Sequence, residues 1–271
     1  MRADGLNLFL AMVMNRHLYQ SLVALLFLLA YEVTAPAQGG QYNFRGIPAT
    51  IEEVDLGLPA KGKFTGQIDL QIVTQGAYFG ENANPFAYWQ RAHLRPWLQY
   101  HPNPRTIIAV SLAYMKKYAV PPTGAKRQDE IRFAIMANFT QPKKWGSFYE
   151  QVRGEIKNNK VDGSDEWTHT PRLRVRLGQN FNVKEGQKIT TYAEIMVKHK
   201  PHTNGFDIFR VFGGYNFSVN PRITMTVGMI CQWQLRSNGV DVDVYFGPSV
   251  TMRYQFGKSR HPHPPPDPDV D

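Results

Sequence analysis

The sequence predicts an all-β protein, a transmembrane antiparallel up-and-down β-barrel of about ten strands preceded by a signal peptide. Three observations carry this expectation. A short apolar run near the N-terminus is followed by a small-residue cleavage pattern, apolar and polar residues alternate through successive segments, and mid-strand charges gather on one face of those segments. Composition agrees. Hydrophobic residues make up 42% of the 271, aromatics 13%, and 22 Gly and 19 Pro are scattered throughout, which suits many short strands joined by turns.

The first element is an address. Ser21 to Ala30 is apolar but too short to cross a bilayer, which takes ~20 apolar residues. Arg16 and His17 precede it, and Ala35-Pro36-Ala37 follows as a small-x-small site, so residues 1–37 read as a signal peptide cleaved after Ala37. Met12 or Met14 would make a more ordinary start. An uncleaved anchor is the alternative, and Glu32 with the short apolar core argues against it. The address implies a bacterial outer membrane as destination. Residues 38–62 read as a flexible leader or small plug, 63–256 as the barrel, and the Pro-rich 257–271 as a disordered tail. The single cysteine, Cys231, cannot close an internal disulfide, so stability must come from the sheet.

Strands are expected near 63–76, 86–101, 105–118, 128–141, 145–158, 168–182, 187–199, 206–218, 221–236 and 240–256. The alternation is clearest in the later ones. Leu173, Val175 and Leu177 alternate with Arg172, Arg174 and Arg176. From Ile223 to Leu235 one face reads Ile223, Met225, Val227, Met229, Cys231, Trp233 and Leu235, and only Ile230 spoils the polar row opposite. Val242 to Phe256 repeats the pattern against Asp241, Asp243, Ser249, Thr251, Arg253 and Gln255. His101-Pro102-Asn103-Pro104, Gln141-Pro142-Lys143-Lys144, Lys184-Glu185-Gly186 and Ser218-Val219-Asn220-Pro221 supply turns. With an even strand number and both termini periplasmic, these are the periplasmic turns, and 77–85, 119–127, 159–167, 200–205 and 237–239 are short external connections.

Charge decides which face points inward. A soluble sandwich or lipocalin-like barrel would bury the apolar face. Here the polar face carries Asp69, Arg91, Arg95, Glu130, Arg132, Arg153, Glu155, Arg172, Arg174, Arg176, Glu194, Arg210, Asp243 and Arg253, with Lys157 and Lys198, while Glu150 is the exception on an otherwise uncharged opposite face. Such rows fit a narrow polar lumen filled by opposed charges, since a charge in a narrow barrel must be paired. Aromatics near strand ends, among them Tyr78, Phe79, Tyr100, Trp145, Phe181, Tyr254 and Phe256, fit interfacial girdles. The net charge of +9 is interleaved with acids rather than gathered on one element, which excludes nucleic acid and leaves outer-membrane lipid and lipopolysaccharide as partners, with the barrel-assembly machinery during biogenesis.

Asp129-Glu130-Ile131-Arg132-Phe133, Arg153-Gly154-Glu155-Ile156-Lys157 and Pro171-Arg172-Leu173-Arg174-Val175-Arg176, followed by Glu194 and Arg210-Val211-Phe212-Gly213-Gly214-Tyr215, resemble a family of bacterial outer-membrane proteins known as domain of unknown function 2490. The resemblance spans roughly 63–256 and implies location and fold, not chemistry.

No cofactor or metal site is expected. His93, Ser111, Ser147, His169, His199 and His202 are the candidates for a lipid-directed hydrolase, but none sits in a recognisable motif, so no catalytic residue is assigned. His261-Pro262-His263 with Asp267, Asp269 and Asp271 would bind a metal only weakly. Three classes stand: a non-catalytic structural or lipid-interacting barrel with a charge-filled lumen, a narrow anion-leaning channel, and the hydrolase. The first requires only what the residues already display.

Overall fold

A computed structural model describes residues 43–59, 61–77, 83–119, 126–199, 205–236 and 241–256. The signal peptide, the tail with its His and Asp residues, Tyr78, Phe79 and His202 lie outside the described residues. Eleven strands close into one barrel: β1 (Asn43–Gly57), β2 (Phe64–Gln75), β3 (Tyr88–Asn103), β4 (Thr106–Lys117), β5 (Gln128–Lys143), β6 (Gly146–Val161), β7 (Trp167–Lys184), β8 (Gln187–Lys198), β9 (Gly205–Asn220), β10 (Ile223–Leu235) and β11 (Asp241–Gln255). Neighbours pair antiparallel in sequence order, and the ring closes by a parallel pairing of β1 with β11.

The expected count of ten is thus corrected to eleven. The added strand is β1, which falls in the stretch read as leader or plug. Its period is hidden because acids fall on both of its faces: Glu53 and Asp55 register with Gln71 and Asp69, while Glu52 alternates with them. An odd number also puts the start of β1 and the end of β11 at opposite ends of the barrel. The two ends of the run of strands therefore do not share one side, contrary to the even-numbered reading.

The ends differ in their connections. One has two-residue turns at 104–105, 144–145, 185–186 and 221–222 and a six-residue turn at 58–63, whereas the other carries links of five to twelve residues at 76–87, 118–127, 162–166, 199–204 and 236–240. Gly186 adopts φ +70 in the turn between β7 and β8, a left-handed conformation glycine takes without steric cost. At the parallel seam, a Cβ on Gly247 would lie 1.8 Å from the Ala49 carbonyl oxygen, so the closing strands approach where no side chain fits.

The wall has two unlike faces. Outward, Leu70, Leu94, Tyr114 and Ile131 stand in register across β2 to β5, and Leu112, Phe133 and Ile156 across β4 to β6. All seven are exposed, Leu112 by 60%. Inward, β4 presents Ala109, Ser111, Ala113 and Met115, all buried. Ala109, Ser111 and Ala113 are small and leave room for long side chains arriving from other strands. Aromatic pairs flank the apolar belt, with Phe64–Tyr100, Trp145–Phe181 and Tyr254–Phe256 towards the short-turn end and Trp89–Tyr118 towards the other.

Candidate functional site

Alternation along β5 to β9 delivers the charged residues to the interior, and the structure gathers most of them into one ion-pair network. Three buried carboxylates are its nodes. Glu130 takes Lys117 Nζ at 2.6 Å, Lys157 Nζ at 3.9 Å and Arg132 Nε at 2.7 Å. Glu155 accepts from Arg172 Nε at 2.8 Å and lies 3.5 to 3.6 Å from Arg132, Arg153 and Arg174. Glu194 meets Arg176 at 2.8 Å, Arg210 at 3.2 Å and Arg174 at 3.5 Å. Arg132 bridges the first two nodes and Arg174 the last two, so the network is continuous.

Asp207 extends it, accepting from Lys198 Nζ at 2.8 Å and lying 3.4 Å from Arg172. Strict alternation would put Asp207 on the face opposite Arg210. A register shift between Met196 and Val197 leaves Asp207 without a partner on β8 and re-aims it inward.

Aromatic faces take up part of the cationic surface. Arg153 sits 4.9 Å and Arg95 5.6 Å from the Trp97 ring, and Arg176 lies 4.1 Å from that of Tyr192. Trp97 Nε1 donates to Asp69 at 2.7 Å, and Asp69 reaches Arg95 only at 4.0 Å. Tyr149 lies over Gly178, where an added Cβ would meet its ring at 2.2 Å.

The other expected lumen residues stand apart. Arg253 pairs with Asp55 of β1 at 2.9 Å, and Asp243 pairs with Arg236 at 2.7 Å and Arg45 at 3.2 Å. Arg91 has no ion pair among the described residues. Lys117, Asp207, Asp55 and Trp97 were missed by sequence reasoning. Lys117 shares the parity of the inner row of β4 and was legible; Asp55 was hidden by the disguise of β1. Glu150 faces outward, registered between Phe139 and Leu177, and is nonetheless buried.

The candidates for hydrolysis do not converge. His93 and Ser111 are both interior without hydrogen-bond partners. On the paired strands, however, His93 registers with Met115 and Ser111 with Trp97. His169 Nδ1 contacts Asn158 Oδ1 at 2.6 Å, and Ser147 Oγ accepts from Asn180 at 3.1 Å. No group of three metal-ligating side chains occurs among the described residues.

What the arrangement can do is electrostatic: it holds many cations around few carboxylates, out of water, on a closed frame. No curated protein matches the chain. A family model does, over residues 56–243, which takes in β2 to β10 whole and the first residues of β11, and the chain accordingly belongs to the family described as protein of unknown function (DUF2490).

Proposed function

We propose that the protein is exported and serves as a non-catalytic barrel of the bacterial outer membrane, its outer belt against lipid and its interior closed by the ion-pair network. The observation that carries this reading is the exposed apolar belt across β2 to β6 of a barrel whose interior is charged. A water-soluble monomer rarely exposes more than a few hundred Å² of contiguous apolar surface, and the registered rows across β2 to β6 run over five adjacent strands. Aromatic pairs at both ends of the belt are what a membrane interface favours.

Lipid head groups are the proposed partners, and the two rims differ in what they offer them. The short turns expose Lys61, Lys63, Arg105, Lys144 and Arg222 against Glu185 alone among their described residues. The longer links balance Lys126, Arg127 and Arg236 with Asp162, Asp165 and Glu166. A basic ring beside an aromatic girdle fits anionic head groups. The test is fractionation of the expressed protein, with gel mobility compared before and after boiling. Outer-membrane recovery with a heat-dependent shift is expected; a soluble periplasmic protein without a shift would contradict the reading.

The arginine excess in the interior favours a second reading, a narrow anion-leaning conduit. Its test is conductance in planar bilayers that falls when Arg176 is neutralised, and a silent bilayer removes it.

A further inference from the structure

Beside Arg91 the interior has a place where donors converge and no carboxylate is among the described lining residues. The register shift between Val73 and Thr74 leaves Gln90 without a partner on β2, and Gln90 and Arg91 both border a small internal cavity. Ile51, Val73, Ile230 and Gln232 complete most of its wall. About 10 Å³ of it is open to the centre of a water-sized body, room for one.

Donors line it, and the Gln90 amide gives one of its two hydrogens to Gln75 Oε1. Arg91 Nε is shielded from solvent and has no hydrogen-bond partner. The charges that act most strongly on Arg91 are two further cations, Arg210 and Arg132, ahead of Glu130. Gln232 gives its carbonyl oxygen to Arg210, with Nε at 3.1 Å and Nη2 at 2.5 Å, which leaves its amide to donate. Only one donation from that amide is made, to Gln234 at 3.2 Å. His93, two residues further along the same face of β3, is 6% exposed with both ring nitrogens unpartnered, and the charges it feels are Arg95, Arg91, Arg132 and Arg174.

The physical step follows from the guanidinium group. Arginine stays protonated in proteins, so an excess of buried arginine cannot be relieved by releasing protons. In the main network six arginines share Glu130, Glu155, Glu194 and Asp207, and three lysines draw on the same carboxylates. Water would satisfy the donors but supply no charge. Arg91 is half-buried with its Nε shielded, and a cation so placed with no carboxylate beside it favours a counter-ion from solution.

We propose that the cavity beside Arg91 binds a single small inorganic anion of chloride size. Arg91 would supply the charge, and Gln232 and Gln90 would supply amide donors. The narrow space favours a monatomic ion over an oxyanion as large as phosphate. This rests on the charged, closed interior of the proposed function and not on what covers the outer face, so the two fail separately.

The test uses the mature protein folded in detergent. Its thermal midpoint is followed as sodium chloride replaces sodium gluconate at constant ionic strength, and crystals grown in bromide are examined for anomalous scattering. A midpoint that rises and saturates with chloride is expected, together with a bromide peak in contact with Arg91. Arg91→Gln should flatten the chloride dependence, and Ile51→Phe, which fills the cavity without altering a charge, should do the same. Both variants are to be scored only as barrels that keep the heat-dependent mobility shift. Superimposable chloride and gluconate curves for the unmodified protein, or bromide absent from the cavity, would overturn the proposal. A protein that proved soluble yet showed the chloride dependence would overturn the membrane reading alone.

Discussion

Two regions of the interior hold charge in different ways. Beneath β5 to β9, each of Glu130, Glu155 and Glu194 is shared by three or four cations and has no exposed side-chain surface. At the closing seam of β11, β1 and β2, Arg253 meets Asp55 in a pair of its own, and the arginine side chain is 58% exposed. The difference teaches that the same pairing of acid and base has opposite meanings by context. A carboxylate in the network neutralises several buried arginines at once, whereas the seam sets one buried carboxylate against a single arginine that water also reaches.

That contrast is sharpest at Glu155. Replacing it by Gln keeps the shape but leaves Arg132, Arg153, Arg172 and Arg174 around a neutral amide. Removing one partner from a buried pair costs about 3–5 kcal/mol, so urea unfolding in detergent micelles should show a loss at or above that range. A midpoint unchanged within error would mean that water or ions fill the interior and screen the network.

The seam can be broken by other means than charge. Gly247→Val places a side chain where a Cβ already lies 1.8 Å from the Ala49 oxygen, at a φ of +155 that branched residues avoid. The parallel pairing must shift, at a cost on the order of 3 kcal/mol by analogy with overpacked sites. Deuterium exchange should rise along β1 and β11 while β5 to β8 stay protected. Uniform exchange would show that closure and network unfold as one unit.

Trp97→Phe tests the edge of the network. It removes the Nε1 donation to Asp69 and weakens the ring beneath Arg153 and Arg95. A loss of about 1–2 kcal/mol is expected from one buried hydrogen bond to a charged acceptor, measured by the same unfolding curve. The smallest effect belongs to Arg253→Gln, about 1 kcal/mol: the lost arginine is more than half exposed, and the glutamine amide can still donate to Asp55, which is itself buried. An effect matching that of Glu155→Gln would erase the distinction between the two regions.

Where the chain runs regularly, the interior was legible. Glu130 and Arg132, Arg153 and Glu155, and Arg172, Arg174 and Arg176 keep a spacing of two on strands with unbroken pairing from β5 to β7 through those positions, so alternation and strand register agree on their face. Legibility ended at each bulge. Asp207 falls on the wrong parity until the shift beside Met196 is known, and Gln90 comes to the cavity beside Arg91 only through the shift beside Val73. β1 was hidden because Glu52, Glu53 and Asp55 charge both of its faces. The parallel pairing with β11 joins residues 198 apart in sequence, for which no local pattern exists. Sharing of one carboxylate among four arginines is a property of curvature and side-chain reach, which a linear pattern does not encode.

The central claim is that lipid lies outside the wall and charge inside it. The most direct measurement compares two variants that each retain one tryptophan, Trp145 in the outer girdle at 43% exposed or Trp97 in the interior at 6%. Each is reconstituted into vesicles containing brominated phospholipid. Strong quenching of Trp145 with Trp97 nearly unaffected is the result this account requires; equal quenching of the two, or quenching of Trp97 alone, would contradict it.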